Sequence, residues 1–458
     1  MFNKILVAAV ASATLALSAN VYADSTQDLI DALITKGVLT EDEGALLAKG
    51  RKAEKKAMDK KAGTSLPIKL SHGKKGFRFE TEDGKFQTNL LWRAQLRFTT
   101  PDNGDPRQIS NFNDNSQNTF EGRRLRMKIG GHAYEPWLKY YFEVDLQPGR
   151  EVDDSSSNAS ARVIDWRIDV AKYKEATLRV GQWKINYNRE RVDSSGKQQF
   201  VERSIANEIF TIDRQVGAQL TGRLFKETPM DINYWAGVYT GEGRGVENPD
   251  NNLMTMARVQ WNPNGRSLKW QQTDVDFTEK PTSSISFAMA SNTGACTKWS
   301  SSGCGNLGGF TSPSRASADG GPGTYKVNQW TQGSAFKYRG FSWQQEYHDK
   351  EVTDEATGIT YDFDGGYAQA GYFFHYLMPA VPKELELAAR YARVNEPNPG
   401  AITFENEREE FTMGANWFLF GAGHNNKITT DVTRLTLDDS SGESADETRF
   451  RVQWDVTF

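Results

Sequence analysis

The chain has 458 residues, with 55 lysines and arginines against 59 aspartates and glutamates, for a formal charge of −4 at pH 7. That balance offers no cationic footprint for nucleic acid. A mean hydropathy of −0.64, with no apolar run of about 18 residues, excludes a bundle of membrane-spanning helices, whereas 40 glycines with 12 Trp, 16 Tyr and 25 Phe fit a large β structure with aromatic girdles.

The first residues, MFNKILVAAVASATLALSANVYAD, place Lys4 before an apolar stretch from Ile5 to Leu17, followed by Val21-Tyr22-Ala23. This pattern predicts a secretory signal peptide over residues 1–23, removed after Ala23. Residues 24–63 follow as a helical segment. Leu29, Ile30, Leu33 and Ile34 have helical spacing, and Thr40 with Glu43 reads as a capping box at a second helix start. Lys49–Lys61 holds seven basic and two acidic residues. A solvated periplasmic spacer is the expectation; a partner-binding oligomerisation module is the alternative.

From residue 64 to 458 the sequence reads as one transmembrane β-barrel. Strands are predicted near Phe86–Thr99, Gly122–His132, Trp137–Gln147, Arg162–Ala171, Ala176–Ile185, Arg214–Phe225, Met230–Thr240 and Leu253–Asn262. Eight more fall near Ser284–Asn292, Tyr325–Arg339, Phe341–Lys350, Tyr361–Tyr376, Lys383–Asn395, Arg408–Phe420, Lys427–Leu437 and Thr448–Phe458. The total is about sixteen, an even number, as a closed bacterial barrel requires. Connections alternate between long and short, which a soluble sandwich has no reason to do. Asn264–Ser283 breaks the alternation: it should be a short turn and is long.

The strands themselves alternate. In RFRVQWDVTF, the residues Phe450, Val452, Trp454, Val456 and Phe458 share one face, which in a barrel would look at lipid. The opposite face lines the lumen. There the sequence places Arg93, Arg97, the ladder Arg124, Arg126 and Lys128, then Arg167 and Arg179, with Glu143, Asp145, Asp165 and Asp169 among them. Arginine keeps its charge in any pore, so these rows suit an anion path or, equally, cross-strand ion pairs that stiffen the wall. The connection 186–213 carries Arg189, Arg191, Lys197 and Arg203 against Glu190, Asp193, Glu202, Glu208 and Asp213. Its apolar residues Phe200, Val201, Ile205, Ile209 and Phe210 predict that it folds inward and narrows the pore. Cys296 and Cys304, in ACTKWSSSGCGN, are expected to be bridged in an extracellular loop; no His or further Cys lies close enough in sequence to suggest a metal.

At this point FEGRRLRMKIGGHAY, LRVGQWKINYN, FVERSIANEIF and DRQVGAQLTGRLF, in that order, resemble the phosphate-selective porin O and P family. WNPNG, FTEKPTSSISFAMA and the terminal strand extend the likeness from about residue 80 to the end. The resemblance implies a sixteen-stranded, homotrimeric porin of the Gram-negative outer membrane, with an inward third loop and arginines at the constriction. Carried over, Arg124, Arg126, Arg179, Arg189, Arg191 and Arg203 are the positions of interest, and Phe458 is the mark read by the barrel-assembly machinery. Small anionic solutes such as phosphate are the implied cargo, although the third loop has four basic and five acidic residues, where the family's selectivity rests on a cationic eyelet. Alternatives are a non-selective or cation-preferring general porin, or an outer-membrane structural anchor. A barrel hydrolase would need a Ser/His pair, but His132, His348, His375 and His424 are scattered. No enzymatic activity and no cofactor are expected.

Overall fold

The computed structural model describes residues 30, 33–61, 68–73, 75–102, 118–146, 161–300, 303–310, 323–397, 405–439 and 442–458. The predicted leader, residues 1–23, lies outside them, as do residues 103–117 and 147–160 of the first two predicted long connections. The chain forms two compact units, residues 1–67 and 68–458. In the first, helix α1 (Glu41–Lys61) begins at a reciprocal cap: the Thr40 N–H donates to Glu43 Oε2 at 2.9 Å, and the Glu43 N–H donates to Thr40 Oγ1 at 3.3 Å. Two otherwise orphaned donors are satisfied, and the acidic first turn suits the helix dipole.

The second unit opens with a hairpin that sequence reading did not find, β1 (Ile68–Gly73) and β2 (Gly76–Thr81). Gly76 (φ 78°) passes against the Leu90 carbonyl, where a Cβ would collide. The wall begins with β3 (Gln87–Thr100), β4 (Thr119–Ala133), β5 (Glu135–Asp145), β6 (Arg162–Tyr173), β7 (Ala176–Lys184), β8 (Arg214–Leu224), β9 (Ile232–Tyr239), β10 (Met254–Trp261) and β11 (Thr282–Gly294). A small separate hairpin, β12 (Lys298–Ser300) and β13 (Gly303–Gly305), follows. The wall resumes with β14 (Tyr325–Tyr338), β15 (Phe341–Asp354), β16 (Thr360–Tyr372), β17 (Leu385–Pro397), β18 (Glu405–Phe418), β19 (Asn426–Asp439) and β20 (Ser444–Thr457). Sixteen antiparallel strands close when β20 pairs with β3, from Phe450 opposite Thr100 to Thr457 opposite Arg93. Phe458 and Trp92 then exchange backbone hydrogen bonds of 2.8 and 3.0 Å. One predicted strand is too long: Tyr361–Tyr376 ends at Tyr372, because Phe373 turns inward and its ring packs on Phe418.

The wall has the polarity of a membrane barrel. Leu96, Phe142, Val163, Met289, Phe411 and Trp454 are exposed on its outside, while Arg258, Lys350, Arg390 and Lys427 are among the largest fully buried side chains. Two-residue connections such as Arg339-Gly340, both at positive φ (47° and 83°), have the primed-turn geometry that matches strand twist. They define a turn end, opposite to the loop end.

Among the described residues, three connections enter the lumen. Loop 3 (185–213) carries two short helices, α2 (Arg189–Val192) and α3 (Ile205–Phe210). Ile205, Ile209 and Phe210 join one apolar cluster with Val352, Phe363, Tyr367, Val394 and Leu435 of the wall and Trp299 and Leu307 of loop 5 (295–324). Each such side chain contributes about 1.5–3 kcal/mol on burial. The polar anchors come from the wall. The Val201 N–H donates to Asp431 at 2.8 Å, the Ile205 N–H to Glu410 at 2.9 Å, and Lys350 Nζ to the Ile209 carbonyl at 3.0 Å. Arg390 sits between Glu410 (2.5 Å) and Glu190 (3.8 Å). Loop 5 lays β12 against loop 3 through a bridge between Ile212 and Trp299. It is closed by the Cys296–Cys304 disulfide.

The third inward connection is the one that broke the alternation. Residues 262–281 rise from the turn end and meet loop 3 from below. Lys337 Nζ donates to the carbonyls of Gln271 and Thr273, each at 2.6 Å. The Gln199 N–H of loop 3 donates to Gln272 Oε1 at 2.7 Å. The segment is long because it is a second luminal element, not a turn.

Two outcomes are expected. Deleting Phe458 removes the last two wall bonds and at most about 2–3 kcal/mol of apolar burial, too little to open a closed barrel. Insertion should slow several-fold, read as delayed appearance of the heat-modifiable folded band; a normal rate would leave Phe458 without a closing role. Arg390→Met strands Glu410 and Glu190 in the interior at a local cost of about 3–5 kcal/mol. Loop 3 should loosen, giving a larger and noisier single-channel current that Glu410→Gln in the same chain partly quietens. Unchanged conductance and noise would show that Arg390 does not hold the loop.

Candidate functional site

Four neighbouring cavities with shared lining residues lie in the lumen beside loop 3, mainly along β3 to β8. The first, of about 280 Å³ toward the loop end, is lined by Arg97, Asp102, Arg123, Glu202, Arg203 and Arg449 among others. It shares Arg203 with a second of about 130 Å³. That one shares Arg126, Lys184 and Arg214 with a third of about 430 Å³, which shares Lys128, Tyr141 and Arg167 with a fourth of about 490 Å³ near the turn end. The shared wall residues set the four side by side in one row, the candidate passage. A further depression, of about 770 Å³ between Leu178, Leu220, Val238, Phe287 and Met289, lies on the apolar outer face and has no part in it.

The second cavity is the most basic. Arg124, Arg126, Arg162, Lys184, Arg191, Arg203, Arg214 and Arg244 line it, and Asp145 is its one carboxylate among the described residues. Several of these cations are paired behind the surface. Arg126 lies 3.1 Å from Glu143 and 3.0 Å from Asp145; Arg191 is 2.5 Å from Asp213 and Arg214 2.5 Å from Asp165. Arg124 approaches Glu202 at 3.6 Å. Eight cations against these five carboxylates leave an excess of positive charge. Lys184 and Arg203 are held by carbonyls: Lys184 Nζ donates to those of Arg191 and Asp193, and Arg203 to those of Glu190 and Asp193. Burial, with Arg191 close by, lowers Arg203 to about 10, so it stays charged at neutral pH. Burial opposes ionisation of Asp213 too, but Arg191 and Arg214 outweigh it and hold the carboxyl below its ordinary range.

Acids of loop 3 are met by basic or hydrogen-bonding partners. Glu190 accepts from the Ser204 N–H and hydroxyl, both at 2.8 Å, and faces Arg390. Glu208 meets Lys298 at 3.3 Å. Burial works against Glu202, yet Arg97, Arg124 and Arg123 keep its carboxyl well below the usual range. The loop's acid excess in the sequence therefore does not become an acid excess along the passage.

Of the predicted site residues, Arg97, Arg124, Arg126, Lys128, Arg167, Arg179, Arg191 and Arg203 line the passage. Arg179 is paired with Asp169 at 2.6 Å, and Arg167 lies 4.4 Å from the Tyr141 ring centroid. Three others hold the plug and are not among the lining residues. Arg93 donates to the hydroxyls of Ser194 and Ser195 at 3.0 and 2.9 Å. Arg189 donates to Gln344 at 3.0 Å and stands over Trp270. Lys197 is exposed, and its carbonyl accepts from the Gln272 N–H at 3.4 Å.

Sequence reading missed Arg162, Lys184, Arg214 and Arg244. Arg162 has the parity of Trp166 and Ile168, which face outward; an irregularity in the β5–β6 register at Glu143/Val144 shifts it. Lys184 and Arg214 are register partners at the loop end of β7 and β8, where both strands pass into loop 3 and alternation no longer sorts lipid from lumen. Arg244 sits in GEGRG, and its flanking glycines were the available signal. Gly241, Gly243 and Gly245 all have positive φ, and a Cβ on Gly243 would stand 2.7 Å from the Cys304 nitrogen.

The sequence profile of the family described as phosphate-selective porin O and P matches residues 96–458. No curated protein sequence matches. Among solved structures, the fold is similar to that of a loop L8 deletion mutant of OmpT, an outer membrane protein of Vibrio cholerae, at 10% identity and a TM-score of 0.53, covering 81% of this chain and 99% of that one. The trimer form of OmpT from the same organism is similar at 9% identity and 0.50, covering 81% and 99%. An anion-selective porin from Comamonas acidovorans gives 10% identity and 0.50, covering 81% and 99%. Identities this low speak for the fold alone; the family match spans most of the chain, which therefore belongs to the phosphate-selective porin O and P family, passive channels of the Gram-negative outer membrane and not enzymes.

Proposed function

We propose that this porin passes small hydrophilic anions, inorganic phosphate among them, through the passage beside loop 3. The observation that carries the reading is the second cavity, where eight basic side chains face one lining carboxylate. Two unit charges about 5 Å apart interact by about 0.8 kcal/mol even in bulk water, and about 1.4 kcal/mol is a tenfold change in partition. The Debye length at physiological salt is about 8 Å, so charges on the wall of so small a cavity act on a passing ion while those on outer loops are screened. The loop end faces the exterior in this reading, residues 24–63 stand in the periplasm after removal of a leader, and the molecule is a homotrimer. The similar fold of the Vibrio OmpT trimer form is consistent with that assembly.

A second reading has a specific observation behind it. Arg126, Arg179, Arg191 and Arg214 are each ion-paired, which is how a general pore would stiffen its wall. Reversal potentials in a KCl gradient decide between the two. Wild type should favour chloride. Arg124→Glu and Arg244→Glu, at lining positions with no carboxylate closer than 3.6 Å among the ion pairs described, should together move the potential toward potassium. A cation-selective wild type, or an unmoved double variant, would overturn the anion reading.

A further inference from the structure

The third cavity differs in kind from the one above it. Its cations share the wall with aromatic rings. Trp270 arrives on the segment 262–281 and stands against Trp235 of β9, with ring centroids 5.9 Å apart at 58°. Both are only partly buried and both line the cavity. The guanidinium of Arg258 lies 5.7 and 5.1 Å from these two centroids and that of Arg189 lies 5.4 Å from Trp270, fixing the rings in place. Trp183 also lines it. Its Nε1 is buried without a hydrogen-bond partner, as is Nη2 of Arg214, so neither donor is offered to the cavity, and the exposed polar wall there is supplied by groups such as Lys128 and Arg167.

Hydrated phosphate draws nothing from an indole face, and wetting such faces is unfavourable. A flat anion with a ring and a carboxylate would use both parts of the wall. The ring would stack on Trp270 and Trp235, where aromatic pairs add about 0.5–1.5 kcal/mol beyond area. The carboxylate would pair with Lys128 and Arg167, which line the same cavity. A volume of about 430 Å³ suits a small ligand. We propose that this chamber is a subsite for small aromatic carboxylates, a reading that rests on the anion path proposed above and names a preferred class of cargo for it. The packing alternative, that the two indoles only seat the segment 262–281, predicts no preference for an aromatic over an aliphatic carboxylate.

The test uses the full-length porin in planar bilayers in symmetric KCl, with sodium benzoate, sodium acetate and sodium phosphate added as separate probes. Benzoate should half-block the chloride current at a concentration at least tenfold below acetate and phosphate. Trp270→Ala should reduce that ratio at least fivefold. Trp270→Leu, which keeps apolar volume and loses the aromatic face, should do the same, while Trp270→Phe should retain most of it. Equal half-block by benzoate and acetate in an anion-selective wild type overturns the subsite and leaves the anion path standing. Discrimination undiminished in Trp270→Leu also overturns it. A cation-selective wild type sinks the anion path and the subsite with it. If the Trp270 variants do not insert, the wild-type ratio of benzoate to acetate decides alone.

Discussion

In hydrocarbon there is no water to satisfy a strand's N–H and C=O groups, and the rest of this molecule follows from that. The wall must close so that no edge remains, and closure falls to the pairing of β20 with β3. Once closed, every strand has one face toward lipid and one toward the lumen. The outer face can hold only apolar groups, so polar residues accumulate inside, where Arg258, Lys350, Arg390 and Lys427 are fully buried. An interior so charged is unsuited to a dry core and suited to two uses, gripping peptide groups and presenting charge to solutes.

The two uses are divided between sectors. From β14 to β19, the wall's long side chains end on loop backbone: Lys337, Lys350 and Lys427 donate to carbonyls, and Glu346, Glu410 and Asp431 accept from amides. Loop 3 is thereby held without needing a regular ladder of its own. From β3 to β8 the same residue types border the cavities, although Arg93 and Lys184 there also reach loop 3. Which sector becomes the passage is decided by where the loop's apolar residues find apolar wall, at Val352, Phe363, Val394 and Leu435. The ion pairs in the open sector are partial: among the described residues Lys184 and Arg203 end on carbonyls, Arg162 stands at the start of β6 and Arg244 is carried on the loop of residues 240–253.

The wall was the legible part of the sequence. Period-two alternation is strong wherever one face meets lipid, so all sixteen strands and the inward rows at Arg124, Arg126 and Lys128 could be read from it. The inward course of residues 186–213 was expected from their apolar content. Alternation fails where strands leave the bilayer or carry an irregularity, and Arg162, Lys184 and Arg214 sit at such places. Arg93 and Arg189 have the residue type and region of pore-lining groups but are held by Ser194, Ser195 and Gln344, and no local pattern tells a clamp from a lining residue. The segment 262–281 was visible only as an irregular length. What it touches lies some 70 residues away at Lys197 and Gln199, a kind of contact that a single sequence does not display.

Loop 3 also sets the order in which the molecule can be completed. Its anchors on Glu346, Glu410 and Asp431 lie 156, 205 and 230 residues further along the chain. Closing such long separations is entropically slow. When the first strands are in place, the amides of Glu190, Val201 and Ile205 have no protein partners, and the apolar side of α3 has nothing to cover. Both requirements are met only when β15, β18 and β19 arrive, close to the moment at which β20 reaches β3. Sealing of the wall and seating of these amides are thus nearly simultaneous events, and a half-built barrel holds loop 3 only from its first strands, through groups such as Arg93 and Lys184.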